Sequence, residues 1–321
     1  TVKVQEYATI QEEAEALLWG RVDAAIYNEA LASVIEESID DYSSQVKVLY
    51  QYGIETEIVK EEKDVNEPFN VYISGIDVSG EISTTSRSDV NIIMTVNPKT
   101  RKILLTSTPR DYYVPIPGVS GEQRDKLTHA GIYGVDKSME TLESLYGIDI
   151  TYYARVNFTS LMTIVDALGG VDVQSEYEFE AGGYHFNQGT NHLDGKAALA
   201  FSRERHSFED GDNQRGRNQE AVLTAILNKA MSPAILTKAS SIISSVSNSV
   251  ETNMTSDEMA KFINMQLSEG GSWQIESTAA VGNGDTQTCF SSGAQPLYVM
   301  WPDEASVAMI TQKMQQILSG Q

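Results

Sequence analysis

Four of the chain's ten arginines fall in one run, SRERHSFEDGDNQRGR, at Arg203, Arg205, Arg215 and Arg217. Guanidinium groups donate paired hydrogen bonds and stay charged, so such a cluster suits phosphate or carboxylate. The same spacing fits equally a solvated ion-pair cluster with Glu204, Glu209, Asp210 and Asp212, which would contribute little energy. Three further groups sit at junctions between apolar runs. Asp77 ends a strand-like segment in ISGIDVSG, between Gly75 and Gly80. Arg87-Ser88-Asp89 precedes VNIIMTV, and Arg110 follows KILLTST. By itself Asp77 reads as a turn carboxylate. Two aspartates converging near arginines, with one cysteine and four histidines in the chain, instead suit a hard divalent cation such as Mg2+. That ion takes oxygen ligands and shares coordination with phosphates. Asp77 and Asp89 are thus the candidate metal pair, and Arg87, Arg110 and the 203–217 cluster would hold phosphate oxygens.

The histidines (His129, His185, His192 and His206) lack ligand-type spacing. His206, inside the arginine run, is a supporting or acid/base group; the others read as structural. The absence of GxSxG, a Walker phosphate loop and GxGxxG disfavours acyl hydrolysis and dinucleotide binding.

The elements that must position these groups begin at Phe69. FNVYISGID, DVNIIMTV and KILLTSTP read as strands, the last two joined by the turn residues NPKT at 97–100. Ligands of open α/β sheets gather at the carboxyl ends of strands. Asp77 and Arg110 lie at such ends; Asp89 joins them if its strand runs antiparallel to theirs. Next come a helix at 135–146 closed by Gly147, the strand ITYYARVN, the helix FTSLMTIVDAL ended by Gly169-Gly170, and the strand VDVQS. This alternation implies a three-layer α/β sandwich around a central mixed β-sheet. Helices follow near 194–201, 217–230, 233–248 and 255–267, then strands near 273–280 and 297–300 and a helix at 303–318. The apolar segments LMTIVDAL, AVLTAIL and AILTKASSIISSV either pack on the sheet or line an elongated cavity of the kind a lipid needs.

A length of 321 residues implies about two domains. Residues 1–66 hold 5 basic and 15 acidic side chains. They read as a small α/β accessory domain, with strands near 2–7 and 46–52 and helices near 10–19 and 28–39. The charged stretch 59–69 reads as a linker to a second domain, 67–321. A net charge of −22 excludes a general nucleic-acid binder and conflicts with a DNA-binding regulator. Cys289 stands alone, so there is neither an intramolecular disulfide nor a multi-cysteine metal site. No run of eighteen apolar residues and no signal-peptide pattern occurs. The start at Thr1 in the strand-like TVKVQEY fits a chain trimmed of an N-terminal anchor.

The ordered set FNVYISGID, SRSDVNIIMTVNPKTRKILLTSTPRD, DKLTHAGIYG, VNFTSLMTIVDALGGVDV and NHLDGKAALAFSRERHSFEDGDNQRGRNQ resembles the LytR–CpsA–Psr family over roughly residues 69–320. Residues 1–66 resemble the accessory domain of its streptococcal capsule-locus members. The resemblance implies a membrane-anchored protein of Gram-positive bacteria with its catalytic domain outside the cell. Its activity would be a magnesium-dependent phosphotransferase, with a pyrophosphatase side activity. It would move a capsular or related glycopolymer from a polyprenyl-pyrophosphate carrier to peptidoglycan. Carried over by motif, Asp77 and Asp89 are metal carboxylates, and Arg87, Arg110, Arg203, Arg205 and Arg215 grip phosphates. Asp212 and Gln219 are supporting polar residues, Asp212 also an acid/base participant, and Arg110, Arg205 and Asp212 form the catalytic set. Many members carry Arg-Gln where this chain has Asn218-Gln219, which leaves Arg217 outside the pattern. The alternative is a non-enzymatic module that binds polyprenyl phosphate and regulates capsule synthesis.

Overall fold

FNVYISG, VNIIMTVN and KILLTS are apolar on both faces, as strands covered from two sides must be. They form β1 (Phe69–Gly75), β2 (Val90–Asn97) and β3 (Lys102–Ser107). The computed structural model describes residues 3–7, 9–28, 31–36, 38–50, 64–76, 86–208 and 211–321. With β6 (Tyr152–Val156), β11 (Glu251–Thr252) and β12 (Gln274–Ala279), these strands make a six-stranded sheet in the order β11-β6-β1-β2-β3-β12. β2 runs antiparallel to β1 and β3, whereas β6 and β12 run parallel to β1 and β3 respectively. The sheet is therefore mixed. The NPKT turn is stapled by Asn97, whose Oδ1 accepts from the Lys99 and Thr100 amides at 3.0 and 3.2 Å.

One sheet face carries Tyr72, Ile93 and Leu104 under α5 (Val135–Tyr146) and α12 (Glu304–Ser319), through Met139, Leu142, Ile310 and Met314. The other carries Val71, Ile92, Ile103 and Leu105 under α8 (Gly211–Ala230) and α11 (Ser256–Glu269). Helix, sheet and helix make the expected three layers. Beside them, α6 (Phe158–Ala167), α7 (Gly195–Arg203) and the pair β7 (Val171–Ser175)/β10 (Gly189–Leu193) enclose a second core. The hairpin β8 (Phe179–Ala181)/β9 (Tyr184–Phe186) adds Phe179 and Phe186 to it. Helices α9 (Pro233–Leu236) and α10 (Ala239–Val246) lead from α8 to β11. The ladder β13 (Gly282–Thr288)/β14 (Pro296–Pro302) and the short pair β4 (Tyr113–Val114)/β5 (Asp125–Lys126) complete the fold, with α4 (Leu127–Ala130) following β5.

Several sequence expectations shift. Residues 3–7 and 46–50, read as strands, form none. The N-terminal segment instead presents α1 (Ile10–Leu18), α2 (Ala32–Glu36) and α3 (Tyr42–Gln45) around Ala14, Ile35 and Tyr42. Its alternating residues have no partner strand among the described residues, and alternation without a partner does not hold a strand. The segment also leans on the larger domain: Val34 packs on Ile132, and Asn28 Nδ2 donates to the Ile132 carbonyl at 3.2 Å. Helix α8 begins at Gly211, ahead of the expected 217, so Arg215 and Arg217 are helical.

Gly131 opens a 3-10 turn, Gly131–Tyr133, packed hard against the segment before β2. A Cβ there would lie 2.6 Å from the Ser86 carbonyl oxygen and 2.9 Å from the Ser88 amide nitrogen, both rigid backbone atoms. Gly131→Ala is expected to cost about 1–3 kcal/mol by overpacking. Denaturant unfolding of the purified chain checks it: an unchanged midpoint would refute the close approach.

Candidate active site at the carboxyl edge of the sheet

Pairing of Gly75 with Val90 and of Ile92 with Ser107 brings the end of β1, the start of β2 and the end of β3 to one edge. The antiparallel hairpin thus delivers Asp89 to the same edge as Arg110. Ser88, between Arg87 and Asp89, is pinned from below. Its Oγ lies 2.7 Å from Tyr72 Oη and 2.9 Å from Ser74 Oγ, and donates to Asn91 Oδ1 at 2.9 Å. The Ser88 amide donates to the Thr128 carbonyl at 3.1 Å, and the Asp89 amide to Gly75 at 2.9 Å. All these side chains are buried, so the cluster holds only while its bonds are satisfied together. The polar middle residue is sunk in the core and its charged neighbours face the edge.

From Asp89 a chain of charges crosses the edge. Arg110 Nη1 donates to Asp89 Oδ1 at 2.7 Å, and its Nε lies 3.7 Å from Asp111 Oδ2. Asp111 Oδ1 in turn lies 3.4 Å from Lys126 Nζ. With side chains 30% exposed at Arg110 and 14% at Asp89, this pairing is less screened than a surface ion pair. Lys126 is anchored by its neighbour Asp125, which is buried with His129. Asp125 Oδ1 lies 2.6 Å from His129 Nδ1, and Oδ2 accepts from the Ser291 amide and hydroxyl at 2.9 and 2.5 Å. Burial opposes the charge of Asp125, but these bonds outweigh it and hold the carboxyl below its usual range.

The arginine run reaches the same edge by two routes. Arg203 ends α7 and stacks its guanidinium 4.3 Å from the ring centre of Phe158, which begins α6 just beyond the carboxyl end of β6. The start of α8 presses on the end of β3, where a Cβ at Gly216 would meet Ser107 Oγ at 3.6 Å. Asn218 Nδ2 donates to the Phe201 carbonyl at 3.3 Å and ties α8 to α7. Arg215 and Gln219 lie one helical turn apart on one face of α8. Arg205 is exposed, its Nε 3.4 Å from His206 Nε2, so both side chains remain at the surface. Arg217 turns elsewhere: its Nε donates to Gln214 Oε1 at 2.8 Å and lies 3.4 Å from Glu176 Oε2. Hydrogen bonds from Ser43 hold the Glu36 carboxyl of the N-terminal segment below its ordinary pKa, and the charge of Arg87 adds a smaller pull in the same direction.

Asp77, Glu209 and Asp210 fall outside the described residues, and Asp212 is placed only as the second residue of α8, its side chain undescribed. Asp89 suits Mg2+ as an oxygen ligand. Among the described residues, no group of three His, Cys, Asp or Glu side chains could hold a metal.

A partly exposed apolar face adjoins the edge. Ile73, Val90 and Met94 sit on central strands yet keep partial exposure on the face toward α8, opposite partly buried Leu223 and Leu227. The sequence reading missed Asp111, Lys126 and, above all, Glu220. Glu220 shares a helix face with Gly216, Leu223 and Leu227, and that spacing within RGRNQEAVLTAIL was the signal available. Burial pushes its carboxyl up to about 8, with the Ser107 backbone and Arg217 pulling weakly the other way. The folded chain therefore keeps a proton that the unfolded chain, at the ordinary 4.5, has released. The contribution of Glu220 to stability therefore falls as pH rises from about 4.5 to about 8 and levels above it. Glu220→Gln is expected to flatten that decline, which is at most about 1.4 kcal/mol per pH unit. Unfolding midpoints measured across this range check it, and parallel curves for both proteins would refute it.

Comparison with known proteins matches the model of the LytR_cpsA_psr family over residues 32–316. The polyisoprenyl-teichoic acid–peptidoglycan teichoic acid transferase TagU of Bacillus mycoides is 34% identical over 74% of this chain and 76% of its own. TagU of Bacillus cereus strain ATCC 14579 is 38% identical over 64% of this chain, which spans 66% of that protein's length. A solved structure of TagT bound to LI-WTA superposes with a TM-score of 0.63 at 26% identity, over 82% of this chain and 95% of that one. With the family model covering most of its length, the chain belongs to the LytR_cpsA_psr family.

Proposed function

We propose that this chain is a phosphotransferase that moves a glycopolymer from a polyprenyl-pyrophosphate carrier onto peptidoglycan. The observation that carries the reading is the junction of an arginine-bearing sheet edge with a partly exposed apolar face formed by Ile73, Val90 and Met94 beside Leu223 and Leu227 of α8. An anionic headgroup and a hydrocarbon tail need two such environments side by side. The names of the relatives support the same reaction class, with a teichoic acid as their polymer. For this chain a capsular polysaccharide or related glycopolymer is the proposed cargo.

In this reaction an acceptor hydroxyl attacks the phosphorus that carries the polymer, and the bond to the bridging oxygen breaks. The polyprenyl phosphate leaves with the electron pair. Such transfers rest on positioning and charge neutralisation. Arg110, steadied by Asp89 and Asp111, and Arg87, Arg203, Arg205 and Arg215 supply positive charge to phosphate oxygens. Gln219 adds a neutral donor, and Asp212 takes the hydroxyl proton. Mg2+ held by Asp77 and Asp89 would add further charge neutralisation at the phosphates. Among the described residues no helix is long and apolar enough to cross a membrane. Attachment to the outer face of the membrane through an anchor outside this chain is part of the proposal.

Arg110→Ala and Arg205→Ala are each expected to lower polymer attachment about a hundredfold or more while the chain stays folded. Cell-wall labelling and circular dichroism check this, and full attachment by both variants would sink the assignment. The purified chain with Mg2+ and a short prenyl pyrophosphate is expected to release phosphate. Tight binding without release would favour the non-enzymatic lipid-binding module instead.

A further inference from the structure

Helix α8 turns Gly216, Glu220, Leu223 and Leu227 toward the sheet, a spacing that reserves this face for apolar side chains. Glu220 is only 4% exposed, and its Oε1 has no hydrogen-bond partner among the described residues. A buried polar oxygen left in this way costs stability unless a ligand completes it. The carboxyl lies against the Ser107 backbone, at the carboxyl end of β3 and three residues before Arg110 in the chain. On the same sheet face Ile92 pairs with Ser107, and Ile73, Val90 and Met94 around it are partly open. Glu220 therefore stands where the arginine-bearing edge gives way to the partly exposed apolar side chains between α8 and the sheet.

An ionised carboxylate at that point would repel a phosphate. A neutral carboxylic acid would not, and it carries an O–H donor. We propose that Glu220, as the neutral acid, binds the phosphate nearest the hydrocarbon tail of the lipid carrier by donating a hydrogen bond to a non-bridging oxygen. The arginines then neutralise the headgroup from the solvent side, and Glu220 meets it from the apolar side. No covalent bond changes in this contact. The inference rests on the reading of the edge as a prenyl-pyrophosphate site.

The test is binding of farnesyl pyrophosphate to the full chain by calorimetry near neutral pH. Glu220→Gln keeps a neutral donor and is expected to bind as the wild type does. Glu220→Met and Glu220→Ala remove the donor and are expected to bind about tenfold more weakly or worse. Their unfolding midpoints should be no lower than the wild type's for Met, the better-fitting side chain. Rescue by Gln but not by Met or Ala is an outcome that a merely structural role would not give. Unchanged binding by Met and Ala would overturn the proposal, as would a loss with Gln equal to that with Met. Failure of the wild type to bind the probe at all would instead overturn the reading of the site on which the proposal rests.

Discussion

The sinking of one hydroxyl, that of Ser88, into the centre of the sheet is the constraint from which the rest of the edge follows. Ser88, Tyr72, Ser74 and Asn91 satisfy one another out of reach of water, so none can move without stranding the others. This fixes the backbone of residues 87–89, and with it the guanidinium on one side and the carboxylate on the other. Asp89 then orients Arg110, Asp111 spaces Arg110 from Lys126, and the buried Asp125–His129–Ser291 group holds Lys126 in place. Each charged residue is steadied by an uncharged or fully paired one further in.

The electrostatic design is one of contrast. A chain of net charge −22 repels polyanions at long range, yet it brings Arg87, Arg110 and Arg203 to the region where three strand ends and two helices meet. Long-range repulsion is screened within about 8 Å at physiological salt, so the local cluster decides what binds. Within the cluster, Asp89 and Asp111 offset part of the positive charge. In the reading proposed above, such an edge favours a compact, multiply charged anion over an extended polyelectrolyte, which would meet mostly acidic surface.

The central strands were readable because burial on both faces leaves an almost unbroken apolar run, and Asn97 with its successors marks the tight turn between two of them. Register then follows from the turn, which is why the meeting of Asp89 and Arg110 could be anticipated. The ladder β13/β14 was half missed, since GNGDTQT is polar and Gly-rich and is held by its partner's hydrogen bonds instead of by apolar contacts. The two N-terminal strands were over-read, because alternation alone says nothing about a neighbour to pair with. Arg217, which the family pattern left out of the site, is turned by its helical phase to Gln214 and Glu176. Glu220 escaped notice for the converse reason: its chemistry appears only once its helix face is known.

The N-terminal helices rest on Ile132, within the 3-10 turn that packs against Ser86 and Ser88, and Glu36 of α2 senses the charge of Arg87. Mechanical and electrostatic contact thus run together from this segment to the strap beneath the sheet edge. Free energy exchanged along such a contact is reciprocal. If the edge holds an anion as proposed, any influence of the acidic helices on that binding would be matched by an equal influence of the anion on the helices.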